Sequence, residues 1–106
     1  MTEHLITIDS SLNILPHKTS VKNGDKVTFC NHANFTITVD FLNNKPPFKH
    51  YRIPICIEAH HESERFTVGG LLRKVEGTFV FDICPHAHFN VGNDGGGKSG
   101  EIVVND

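Results

Sequence analysis

The sequence has no tryptophan, a single methionine and a single tyrosine. It has no apolar run near the roughly 20 residues that a membrane-spanning helix requires, which excludes a helical span. It lacks an excess of basic charge: 10 Lys and Arg stand against 12 Asp and Glu, for a formal net charge of −2. Nucleic-acid binding needs a basic face, so that class is excluded. The start, Met1-Thr-Glu-His4, lacks the charged and apolar regions of a secretory signal. A cytoplasmic protein is therefore expected if Met1 is the native start. The chain also lacks an even number of cysteines, having three. At least one is free or pairs outside the chain, and the pairing among Cys30, Cys56 and Cys84 stays open.

At 106 residues the chain is expected to form one domain spanning 1–106. A domain of this size buries roughly two thirds of its unfolded surface, enough for one core without disulfides or a metal. The eight phenylalanines imply a core centred on Phe. The eight histidines are the compositional outlier, because imidazole is the commonest metal-ligating side chain. His4, His17 and His50 read as surface residues.

Short alternating segments dominate. Leu5–Ile8, Lys26–Cys30, Phe35–Phe41, Arg65–Val68, Gly77–Ile83 and Glu101–Val104 each read as strands. Ile53–Ile57 contains Pro54, so it reads as an edge strand or an irregular segment. Turn signals separate them, as at Asn23-Gly24-Asp25. The one helical candidate is the short polar patch from Ile57 to Glu64. The run Asn93-Asp-Gly-Gly-Gly-Lys-Ser99 reads as a loop; it lacks the spacing of a phosphate loop. The expected architecture is an all-β sandwich of seven or eight strands with Greek-key connections.

Two stretches carry a family resemblance. One is Gly24-Asp-Lys-Val-Thr-Phe-Cys-Asn-His-Ala-Asn-Phe-Thr-Ile-Thr-Val39. The other is Gly77-Thr-Phe-Val-Phe-Asp-Ile-Cys-Pro-His86, with Gly100-Glu-Ile-Val-Val104 closing the chain. In order and spacing they resemble the plastocyanin-like cupredoxins. The resemblance implies a cupredoxin sandwich, mononuclear copper, electron transfer with a redox protein partner, and no catalysis. Because that family is mostly exported, it also implies a periplasmic or otherwise extracytoplasmic setting if Met1 is not the native start.

The family holds copper with two His, a Cys thiolate and usually a Met. The first His position falls here on Ile37, the Cys position on Ile83, and the Met position of plastocyanin on Val91. Only Pro85-His86 matches. One reading is a sandwich that has lost its metal, with aliphatic residues filling the former site and an interaction or structural role. The other is a shifted site. Cys84, His86 and His88 are two residues apart and share one face of an extended segment. His32, in the loop expected at the same end, could join them. Thiolate and imidazole suit copper, and the same set could hold structural zinc. Strand alternation turns Cys84 outward, so an inward site requires a one-residue bulge.

The remaining constellations read plainly. Glu58-Ala-His-His-Glu-Ser-Glu64 reads as a solvated face. Cys56, between two isoleucines, reads as a buried apolar thiol. Cys30 alternates away from Val27 and Phe29 and reads as outer-face. No serine lies in a nucleophile elbow, and no carboxylate orders a Cys–His pair, so no enzyme is expected. The expected function is a small copper-binding protein for electron transfer or copper handling with an altered ligand set.

Overall fold

The computed structural model describes residues 2–41, 45–70, 74–86 and 98–105. Among them are nine strands: β1 Glu3–Ile8, β2 Ile14–Leu15, β3 Lys18–Val21, β4 Lys26–Asn31, β5 Ile37–Phe41, β6 Ile55–Ile57, β7 Phe66–Thr67, β8 Gly77–Pro85 and β9 Lys98–Val104. They form a four-stranded sheet, β2-β1-β4-β7, and a five-stranded sheet, β3-β9-β8-β5-β6. The pairs β1–β4 and β3–β9 are parallel, and the others are antiparallel. The Pro54 segment resolves as an edge: β6 begins just after that proline and pairs only on its β5 side.

Phenylalanine builds the core between the sheets. Phe29 is wholly buried and meets Phe48, Phe66 and Phe81 edge-on, with ring centroids 5.5–6.3 Å apart. Phe48 stacks on Phe66 at 4.6 Å. Such pairs add about 0.5–1.5 kcal/mol each beyond simple burial. Gly100 of β9 lies directly across from Phe81. A Cβ there would stand 2.8 Å from the Phe81 ring, so only glycine admits the aromatic.

The first motif now has a physical reading. Gly24 has φ 95°, a turn conformation glycine adopts without strain. The Asp25 carboxylate accepts bonds from the backbone N–H of Thr2 and of Lys22, and pairs with His4 Nε2 at 3.0 Å. Val27 and Phe29 point into the core. Asn31 is fully buried. Its Nδ2 donates to the carbonyls of Phe35, Ile57 and Glu58, and its Oδ1 accepts from the Ala33 N–H. One side chain therefore ties the loop after β4 to the end of β6.

Three sequence expectations need correction. Residues 57–64 contain no helix; Cys30 bridges Glu62, the Asn31 N–H donates to the His61 carbonyl, and the Ser63 N–H to that of Phe29. After a turn in which the His61 N–H donates to the Glu58 carbonyl, residues 61–63 are stitched along β4, a pairing that short-range periodicity does not encode. This segment also covers Cys30, which faces away from the core but is buried. Cys56 is exposed, not buried.

Two stability effects follow. Asn31→Ala strands three carbonyls and one N–H, and is expected to cost about 3 kcal/mol in urea unfolding. For Asp25, burial acts to raise the pKa, but the bonds from His4, Lys22 and Thr2 outweigh it and hold the carboxyl below its ordinary 3.8. A depressed carboxyl pKa stabilises the fold above the unfolded value and loses that contribution as pH falls through the folded one. The stability gap between wild type and Asp25→Asn should thus be full at neutral pH and close below about pH 4.

Candidate metal centre

The geometry of this region follows from the pairing of β8. It runs against β5 without interruption, from Phe41 opposite Phe81 to Ile37 opposite Pro85. No extra residue enters the ladder, so the bulge that would turn Cys84 inward is absent. Side chains alternate strictly. Phe81 and Ile83 face the core and are wholly buried, and so is Ile37 of β5. Asp82 and Cys84 face the opposite way.

Where the family places its first His and its Cys, this chain therefore has two packed isoleucines with no donor atom. The residues at those two positions do not fit a blue copper centre. Val91, at the Met position, lies outside the described residues.

The donors gather on the outer face of the five-stranded sheet. Thr38 of β5 is the centre of a cross-strand row, opposite Cys56 of β6 on one side and Cys84 of β8 on the other. Residues directly opposite share a face, so both thiols stand on the outer side. His86 follows β8, and its N–H donates to the Thr36 carbonyl at 2.9 Å. Its Nδ1 lies 2.9 Å from Thr38 Oγ1 and 3.6 Å from Cys56 Sγ. Thr38 Oγ1 stands 3.9 Å from the same sulfur.

Two carboxylates lie one step along this face. Asp40 and Asp82 are direct cross-strand partners, an arrangement that like charges disfavour. Burial, and then the charge of these two groups, pushes the Cys84 thiol above its ordinary pKa. The Ser99 hydroxyl relieves Asp82 by donating to its carboxylate.

The sequence-derived ligands are thus placed unequally. Cys84 and His86 lie at the same end of β8, on the outer side. His32 is exposed just beyond β4, on the other sheet, where its N–H donates to the Ile8 carbonyl. His88 lies outside the described residues. Among the described residues no three His, Cys, Asp or Glu side chains converge as a ligand cluster. Sequence reasoning missed Cys56 as a neighbour of His86. The signal was the alternation Ile55-Cys56-Ile57, which turns the thiol away from the core on a strand with only one neighbour.

If Ile83 rather than Cys84 packs inward, their variants should differ sharply. Ile83→Ala should cost about 2–5 kcal/mol in urea unfolding, while Cys84→Ser should cost under about 1 kcal/mol. The reverse order would place the thiol inside.

No protein-family model and no curated protein matches the chain. Solved structures do. An oxidised amicyanin variant is 17% identical with a TM-score of 0.60, over 95% of this chain and 80% of that one. A reduced amicyanin variant is 19% identical with a TM-score of 0.58, over 94% and 81%. Native pseudoazurin from Hyphomicrobium denitrificans is 15% identical with a TM-score of 0.56, over 98% and 76%. Both sheets and nearly the whole chain thus take part in the likeness, and this protein has the cupredoxin fold.

Proposed function

We propose that this protein handles copper through an altered ligand set drawn from Cys84, His86 and His88, and not through a blue copper centre. The observation that carries the reading is the register of β8. It leaves Ile37 and Ile83 inside and presents Cys84, with His86 just beyond, on the outer side. A solved Cu(I) form of an amicyanin variant lends the fold a precedent for that ion.

Copper chemistry agrees with the donor types. Thiolate and imidazole accept it well. Rapid electron transfer needs a fixed cage that tolerates both oxidation states; ligands on an open sheet face are better suited to taking up and passing on a metal ion. The proposed role is therefore copper handling with a protein partner, in an extracytoplasmic setting, without catalysis. A second reading, a metal-free interaction module, draws support from the two isoleucines that fill the family's copper position.

Anaerobic titration with Cu(I) against a coloured competing chelator separates the two. The copper reading expects one tightly held equivalent in wild type and weaker uptake in Cys84→Ser and His86→Ala. It also expects copper to stabilise the fold, by about 2.7 kcal/mol at a hundredfold excess over Kd. Equal uptake in wild type and both variants, or no uptake at all, would leave the interaction module standing.

A further inference from the structure

We infer that Cys56 completes this metal site: its thiolate and His86 Nδ1 clasp one soft cation on the outer face of the sheet, above Thr38. The inference rests on the copper-handling reading and names a ligand that the sequence pattern does not supply, from a strand some thirty residues earlier in the chain.

The separation between the two donors is the first argument. Sulfur and nitrogen bound to one ion at roughly 2.3 and 2.05 Å stand about 3.6 Å apart in tetrahedral geometry and about 3.8 Å apart in trigonal geometry. Cys56 Sγ and His86 Nδ1 are 3.6 Å apart. An ion could enter between them with little movement of either side chain. Cys84 stands on the far side of Thr38 from Cys56. The two cysteines are thus two strand spacings apart, about 10 Å between Cα atoms, too far to form a disulfide with each other.

Thr38 sets the ring. It is wholly buried, so its hydroxyl has no water to turn to. At 2.9 Å it engages Nδ1 and holds that nitrogen toward Cys56. When the ion takes the Nδ1 lone pair, the hydroxyl can turn its proton to the sulfur, 3.9 Å away. No buried polar group is then stranded.

The surroundings favour a cation. Asp40 and Asp82 face each other across β5 and β8 on the same side of the sheet, and positive charge nearby relieves their repulsion. Cys56 and His86 are both exposed, so two protein donors leave coordination positions open toward solvent for a ligand brought by a partner. Cu(I) and Zn(II) share the required softness.

The test is the titration of Cys56→Ser with Cu(I) and, separately, with Zn(II), beside wild type and Cys84→Ser. Cys56 is exposed, so its replacement should leave urea unfolding unchanged, and that measurement is the folding control. The expected result is that Cys56→Ser weakens Cu(I) binding at least tenfold, as His86→Ala does. Zinc uptake that depends on Cys56 while Cu(I) uptake does not would keep the site and change its ion. If wild type binds a metal but Cys56→Ser binds it equally well, the inference fails and the site is confined to other ligands. If wild type binds neither ion, the copper-handling reading itself fails.

Discussion

The alternation of side chains along β8, held in register by β5 and β9 on either side, is the constraint on which this region depends. A strand paired on both edges cannot rotate one residue without breaking a ladder of hydrogen bonds and exposing its core face. Phe81 and Ile83 are therefore committed to the interior, and Cys84 and Asp82 to the exterior. The chain has the cupredoxin sandwich, holds buried isoleucines at the two positions where its sequence resemblance would put a His and a Cys, and carries sulfur and imidazole on the other side of the same sheet.

Two polar anchors make that arrangement rigid. Asp25 pins the turn before β4 to the start of the chain. Asn31 pins the loop after β4 to the end of β6. The second anchor bears on the site, because it fixes the strand that carries Cys56. Thr38 then joins β6 to the end of β8 through its contacts with Cys56 and His86. A buried hydroxyl with few alternative partners is a strong positional restraint, since leaving it unpaired costs about 1–3 kcal/mol.

Much of the fold was legible in the sequence. Val27 and Phe29 face the core as their alternation suggests, and the Phe-rich composition became a Phe-rich core. Cys84 was read as outward from alternation alone, and the ladder agrees. The errors came from long-range pairing. The polar run at 57–64 looks helical in isolation, but it forms a turn and then runs along β4 at 61–63, held by bonds to Phe29 and Asn31. That contact buries Cys30, which alternation had placed on the outside. Cys56 was misread because its apolar neighbours suggested burial, whereas an edge strand has one face inside and one outside. Its closeness to His86 depends on β6 and β8 flanking the same strand, which local spacing does not reveal.

The most direct test of the account is a crystal structure of the protein grown with Cu(I), with the metal located by its anomalous scattering. The account expects the peak on the outer face of the five-stranded sheet, within bonding distance of Cys56 Sγ and His86 Nδ1. A peak between the two sheets, beside Ile37 and Ile83, would contradict it.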